Sequence, residues 1–479
     1  MLKAGRSRLG RPPRLGVQRV SPQRRGFTLV ALGLAVSLAS AACGSDSNDA
    51  GETDETQRQS ELLSALLSSV VGPSNANAVA SAQSGSGDTA QGDPDPAGSE
   101  LEPASKLDPS VELFYAALAN ATPGAVGSSL GFAPITSAPE GSRAFRFGYV
   151  SSDATGKPVP VSAVVLVPDT PAPNAGFPIA AFAHGTAGLA DTCAPSRRGW
   201  DFIALRNELL ERGYVIFATD YIGLGTPGPH PYLDGPAAVR AVIDGIRATR
   251  AVKEFVAGNE VLLYGFSQGG QAALLTGEAM ATATPDLHLQ GVAALAPFTD
   301  MDIAFFTDAG ALPTPTSSPL VPTRAFGAGV PLSGVVGLAA GSPGLTVSDV
   351  LTDEAQRRAG VFEQGCIQDA NFAYPGPLSL WVKADVRKLP GWKDAISRAV
   401  PGATATAAPV FLAFGGQDRF MPPDSATALR KRLCRLGDAV SYGTFPVGHN
   451  GVVAASRAQF LAWLDKVDTA RPNQCGKAE

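Results

Sequence analysis

The segment Val261-Leu262-Leu263-Tyr264-Gly265-Phe266-Ser267-Gln268-Gly269-Gly270 sets a serine between two glycines, directly after an apolar strand pattern and directly before a helical one. In that setting Gly265 and Gly269 leave room for a sharp turn that exposes the Ser267 hydroxyl at a sheet edge, with the N-terminus of the next helix beneath it. Such a serine can attack a carbonyl carbon. A bare Gly-x-Ser-x-Gly arises often by chance, and the strand-turn-helix context is what gives this one its weight.

An alcohol attacks only when a base takes its proton, so a histidine must come within reach. The chain has four. His184 ends a strand before a glycine and reads as an orienting or structural residue; His230 sits among prolines, and His288 in a polar turn. His449, in Pro446-Val447-Gly448-His449-Asn450-Gly451, follows the last strand pattern and precedes the terminal helix, and is the expected base. Asp418, in Gly415-Gly416-Gln417-Asp418-Arg419, lies between serine and histidine after the penultimate strand. It is the expected acid, fixing the imidazole tautomer and stabilising the imidazolium, with Asp300 as the fallback. Negative charge developing on the carbonyl oxygen needs preorganised donors, each worth on the order of 10² to 10³ in rate. The N–H of Gln268 is one expected donor. Gly185 or Thr186, in the loop His184-Gly185-Thr186-Ala187-Gly188, supplies the other.

These residues need a scaffold that brings distant loops to one rim. Strand patterns at 145–150, 161–167, 177–183, 214–219, 261–264 and 290–295 alternate with helical patterns at 200–212, 236–255 and 268–281. After an interruption come strands at 410–414 and 440–445 and helices at 424–436 and 454–467. This order predicts an α/β fold: a mostly parallel central sheet with helices on both faces. Its two parts are 106–296 and 409–479. The interruption, 297–408, is too long for a structureless loop. It reads as a cap over the sheet's C-terminal edge, with apolar clusters at Ile303-Ala304-Phe305-Phe306 and Gly334-Val335-Val336-Gly337-Leu338.

The N-terminal region reads as an address. Lys3, Arg6, Arg8, Arg11, Arg14, Arg19, Arg24 and Arg25 precede the apolar run 27–42 and then Cys43, the order of an export signal over 1–42. The run is short of the ~20 residues a spanning helix needs. Arg24-Arg25-Gly26-Phe27 is similar to the twin-arginine pattern. Ser40-Ala41-Ala42-Cys43-Gly44 is similar to a bacterial lipoprotein box, in which Cys43 is lipidated; Ser40 departs from it, so ordinary cleavage near Ala42 is the alternative. Two or more acyl chains at ~0.8 kcal/mol per buried methylene would hold the protein on a membrane. The acidic Ser/Gly/Ala-rich stretch 43–105, with one short helix expected at 62–71, reads as a flexible tether.

The whole chain of 479 residues is 44% hydrophobic and 17% charged, enough for one large core or two smaller ones and unlike disordered or collagen-like chains. Its net charge is −5; without the first 42 residues, 30 basic residues face 43 acidic ones. That balance repels phosphate backbones and argues against nucleic acid as a partner. Gly223-Leu224-Gly225-Thr226-Pro227-Gly228 has dinucleotide-binding spacing, but Pro227, Pro229 and Pro231 prevent a helix from starting there, so no nucleotide cofactor is expected. Apart from Cys43 there are Cys193, Cys366, Cys434 and Cys475, with no CxxC spacing, so no metal site is expected. An even count in an exported chain favours disulfides. Three pairings are possible and buried free thiols are the alternative. Cys193 with Cys366 and Cys434 with Cys475 is preferred, the second because both lie in the last fifth of the chain.

Over 108–467 the chain resembles the secretory lipase family, the Candida lipase A-type enzymes and their bacterial relatives. The resemblance rests on Ala183-His-Gly-Thr-Ala-Gly-Leu-Ala-Asp-Thr-Cys193-Ala-Pro-Ser196, Asp220-Tyr-Ile-Gly-Leu-Gly-Thr-Pro-Gly-Pro-His-Pro-Tyr232, Gly265-Phe-Ser-Gln-Gly-Gly270 and Gly448-His-Asn-Gly451. It implies an α/β-hydrolase fold with a cap after the sixth strand, and hydrolysis of carboxylic esters, acylglycerols above all, without a cofactor. Carried over, the nucleophile is Ser267, the acid Asp418, the base His449 and the oxyanion loop Gly185 and Thr186. It also implies a disulfide from Cys193. Expected partners are an ester or lipid substrate and, through a lipidated Cys43, a membrane. Two other readings compete: a serine peptidase or amidase on the same fold, and a non-catalytic envelope protein that binds a lipid.

Overall fold

The computed structural model describes residues 109–299, 328–406 and 408–476. The export signal, Cys43, the tether with its expected helix at 62–71, Asp300 and the cluster Ile303 to Phe306 lie outside the described residues. In chain order the elements are α1 (Pro109–Asn120), β1 (Ser129–Pro134), β2 (Ser142–Ser152), β3 (Pro158–Pro168), β4 (Phe177–Ala183), α2 (Arg206–Glu211), β5 (Val215–Thr219), α3 (Gly235–Ala251), β6 (Ala257–Phe266), α4 (Gln268–Ala283) and β7 (His288–Leu295). There follow α5 (Gly329–Gly341), α6 (Asp353–Arg357), α7 (Val361–Gln364), α8 (Ile367–Ala373), α9 (Trp392–Arg398), β8 (Val410–Gly415), α10 (Pro423–Leu436), β9 (Val440–Phe445), α11 (Val452–Leu464) and α12 (Val467–Ala470).

The nine strands form one sheet in the order β1-β2-β3-β5-β4-β6-β7-β8-β9. The three pairings from β1 to β5 are antiparallel and the five from β5 to β9 parallel, the expected mostly parallel sheet. Alternate residues of a strand face opposite sides. Ile179, Ala181 and Ala183 of β4 pack with Ala241 and Ile246 of α3, Ala272 of α4 and Leu429 of α10. Ala180 and Phe182 pack on the other face with Leu209 of α2 and Phe460 and Trp463 of α11. A sheet buried on both faces explains why these strands read as continuous apolar runs. At about 25 cal/mol per Å² of apolar surface removed from water, the two layers are the main stabilising term.

The segment between β7 and β8 packs its own apolar cluster, including Leu332, Val335 and Leu338 of α5, Phe362, Tyr374, Trp381, Trp392 and Ile396. Tyr232, Phe298 and Met421, from loops that follow β5, β7 and β8, complete that cluster, so these helices lie against the loops at the C-terminal end of the sheet.

Helix α1 was not expected, and three further departures from the sequence expectations concern the sheet and its helices. The helix expected over 200–212 is only α2, because Leu205 adopts φ 57°, a left-handed conformation that a continuing helix cannot contain. Strand β1 was not expected: it is a short, partly buried edge strand with a bulge at Gly131 and a proline at its end, so it carries no continuous apolar pattern. Because β1 adds to the count, the insertion follows the seventh strand in chain order rather than the sixth.

Candidate active site

The turn from β6 into α4 places Ser267 at φ 56°, ψ −116°, a strained conformation for a residue with a side chain. The surroundings hold it there: Ser267 N–H donates to Leu295 O at 2.9 Å, and Ser267 O accepts from Phe298 N–H at 3.0 Å. The flanking glycines are sterically required. A Cβ on Gly269 would stand 1.8 Å from Ala183 O, and one on Gly265 would stand 2.2 Å from Gly269 O. Helix α4 therefore starts in direct contact with the end of β4, beside which the Ser267 turn emerges in register, Ala183 opposite Gly265.

His449 Nε2 is 2.9 Å from Ser267 Oγ, and His449 Nδ1 is 2.6 Å from Asp418 Oδ2. The carboxylate side chain is 1% exposed and the imidazole 12%. Asp418 Oδ1 accepts from the N–H groups of Phe420 and Met421, each at 2.8 Å, so every oxygen of the buried carboxylate has a donor. The loops bearing acid and base are joined to one another: Gly416 N–H donates to Phe445 O at 2.6 Å and Gln417 N–H to Val447 O at 3.0 Å. The rings of Phe266 and Phe420 lie 5.0 and 5.2 Å from the imidazole. In this arrangement Asp418 accepts the Nδ1 proton, leaving the Nε2 lone pair facing the serine hydroxyl.

The loop after β4 runs beside this turn. Its polar groups are held one after another: Tyr221 Oη donates to His184 O at 2.9 Å, His184 Nδ1 donates to Gly185 O at 2.6 Å, and Thr186 Oγ1 is 2.6 Å from Tyr232 Oη. Among the described residues, no protein group accepts from the N–H of Thr186 or of Gln268. The loop is also fastened to the insertion, where Ile367 N–H donates to Ala187 O at 3.2 Å and Gly188 bridges to Cys366. Cys366 forms a disulfide with Cys193, and Cys434 one with Cys475, the preferred pairing.

The other histidines are accounted for elsewhere. Burial pushes His184 down to about 4, outweighing its bond to Gly185 O, and pushes buried His230 down to about 4, outweighing its 2.8 Å bond to Ile222 O. His288 pairs with Glu260 at the surface, 2.5 Å away. Gly223, Gly225 and Gly228 lie in the loop that leads to α3.

Sequence reasoning missed the supports. Asp220 is fully buried, accepts from Ser162 Oγ at 2.6 Å, Ser196 N–H at 3.0 Å and Ser196 Oγ, and through Ser196 meets Tyr115 of α1. Burial pushes its carboxyl up to about 6. Tyr221 and Tyr232 were likewise unassigned, since a phenol with a distant partner leaves no local pattern.

The profile of the secretory lipase family matches residues 199–313, a stretch that includes the Ser267 turn. No curated protein matches the chain in sequence. Among solved structures, lipase A of Candida antarctica in its closed state superposes with a TM-score of 0.60 at 18% identity, over 73% of this chain and 84% of that one. The rice cell wall degrading esterase LipA of Xanthomonas oryzae, in a ligand-bound form, superposes with a TM-score of 0.55 at 20% identity, over 73% of this chain and 98% of that one. At such identities the superpositions speak for the fold, while the profile match covers the segment that carries the Ser267 turn. Residues 199–313 thus match the secretory lipase family, and the chain has the α/β-hydrolase fold of the two superposed enzymes.

Proposed function

We propose that the protein is a serine hydrolase of carboxylic esters, acting on acylglycerols or other lipid esters, with Ser267 as nucleophile, His449 as general base and acid, and Asp418 as its orienting carboxylate. One observation carries this reading: the imidazole of His449 stands within hydrogen-bond distance of both Ser267 Oγ and Asp418 Oδ2, at 2.9 and 2.6 Å. In the first half-reaction His449 Nε2 takes the Ser267 proton as Oγ bonds to the ester carbonyl carbon. The oxyanion is received by the N–H of Gln268 and by those of Gly185 or Thr186, and His449 then gives its proton to the departing alkoxide. In the second, water attacks the acyl-enzyme with His449 again as base, releasing the acid and restoring Ser267.

The insertion between β7 and β8 acts as a cap in this reading, its apolar cluster lying against the loops that hold the triad and binding the acyl chain. Two disulfides and the family suit an exported protein. Anchoring through a lipidated Cys43 is the finer part of the proposal, and an unmodified Cys43 in mass spectra of the N-terminal peptide overturns it. A fluorophosphonate probe tests the chemistry: it should label the wild type and not Ser267→Ala, and labelling of that variant overturns the assignment. Rates on p-nitrophenyl esters from acetyl to palmitoyl test the substrate class, and turnover of the acetate alone overturns the lipid reading.

A further inference from the structure

We propose that Tyr232 is a positioning residue for this reaction: its buried hydroxyl holds Thr186 so that the backbone N–H groups of the oxyanion loop face the ester oxygen. The inference rests on reading Gly185 and Thr186 as that loop. The contact is short and enclosed, with Thr186 Oγ1 2.6 Å from Tyr232 Oη and Tyr232 only 1% exposed. Burial holds the phenol above its ordinary range, so it stays neutral and keeps its proton.

The rest of Tyr232 is anchored. Its N–H donates to His230 O at 2.8 Å, and Asp234 N–H donates to Pro231 O at 3.1 Å. Behind it lies α5, so close that a Cβ on Gly337 would stand 2.3 Å from Tyr232 O. The hydroxyl is thus fixed by the 220–234 loop on one side and by the insertion on the other. It reaches the middle of a loop whose carbonyls at His184 and Ala187 accept hydrogen bonds from Tyr221 and Ile367, outside the loop, and whose Gly185 carbonyl accepts one from the His184 ring within it. Thr186 is the position of that run whose orientation depends on a side-chain contact. A peptide free to rotate there would turn its N–H away from the developing charge, at a cost paid in the transition state and not in substrate binding.

The test is a double-mutant cycle on a soluble p-nitrophenyl ester. Tyr232→Phe should lower kcat about tenfold or more with KM within about twofold, part of the 10² to 10³ expected for losing a donor outright. Thr186→Val, which keeps the backbone N–H and the side-chain shape, should do the same. The double variant should be no worse than either single one, and Thr186→Ser should restore wild-type kcat within about twofold. A Tyr232→Phe enzyme with wild-type kcat overturns the proposal, as do losses that multiply in the double variant or a loss confined to KM. If Tyr232→Phe does not fold, the comparison of Thr186→Val with Thr186→Ser decides alone. Ser267→Ala separates the two failures. An inactive Ser267→Ala beside an unimpaired Tyr232→Phe removes only the positioning role, whereas an active Ser267→Ala removes the ester-hydrolase reading.

Discussion

Replacing Asp418 by asparagine isolates tautomer control from folding. Asp418 Oδ1 accepts two backbone N–H groups, from Phe420 and Met421, and Oδ2 accepts the proton of His449 Nδ1. An asparagine can keep its carbonyl oxygen on the two backbone donors, which hold the turn, and then presents its NH2 to His449. Two donors cannot face each other, so the ring shifts its proton to Nε2, and the nitrogen 2.9 Å from Ser267 Oγ becomes a donor unable to accept the serine proton. With the acid side chain 1% exposed, no water takes over the lost role. The expected fall in kcat is about 10⁴-fold, about 5.5 kcal/mol of barrier at 1.36 kcal/mol per decade. Loss of stability should stay near 1 to 3 kcal/mol, the range for one hydrogen bond to a charged group. Steady-state kinetics on a p-nitrophenyl ester, with urea unfolding of the same preparations, measures both. A variant that folds and keeps more than about a tenth of the wild-type kcat refutes the assignment of Asp418, and Asp300 becomes the residue to replace.

Two further outcomes follow from the supports of the site. The disulfides close loops of 173 and 41 residues, so chain entropy gives about 5 kcal/mol for Cys193–Cys366 and about 4 for Cys434–Cys475. Only the paired Cys193→Ala, Cys366→Ala replacement should also lower kcat, because only it releases the loop after β4, the proposed oxyanion loop; equal kcat losses for both pairs refute this. Burial raises the Asp220 carboxyl to about 6, so its protonated form favours folding: the contribution is complete below the unfolded pKa near 3.9 and is lost as the pH rises through 6. Asp220→Asn has no charge to bury, so the stability of the wild type relative to this variant should rise by about 2 kcal/mol from pH 7 to pH 4. The opposing loss from His184 and His230, both held near 4, is common to the two chains and cancels. A difference that does not change with pH, in urea titrations across that range, rejects the argument.

The scaffold was legible where burial forces a pattern. A parallel strand covered on both faces must be apolar throughout, so 177–183 could be bounded to the residue, matching β4. Strand β1 was not legible, because a short, partly buried edge strand interrupted by a bulge need not be apolar throughout. The helix start at 200 was misplaced for a similar reason. Apolar periodicity from Trp200 to Leu210 is real, but its first part serves a turn in which Trp200 Nε1 donates to Ser137 O at 2.8 Å, and only the backbone angle at Leu205 reveals the break.

The site divides along the same line. The turn around Ser267 excludes side chains on both flanks, by Gly269 O 2.2 Å from a Cβ on Gly265 and by Ala183 O 1.8 Å from one on Gly269, so glycine is required on either side of the serine and a short motif records it. His449 and Asp418 could be placed because the order of strands fixes which loops reach the same rim, and those loops are short. The residues that hold the loop after β4 obey no such rule: Tyr232 lies 46 positions from Thr186, and Cys366 lies 173 from Cys193. A hydroxyl needed only as a hydrogen-bond partner can come from any element that passes nearby, so its position carries no local signature. Here that element belongs to the face against which the insertion packs, through Gly337 behind Tyr232 and Ile367 on Ala187. The insertion thus forms part of the frame that orients the loop. Changes to its packing at those two points should be felt in turnover before they are felt in substrate affinity.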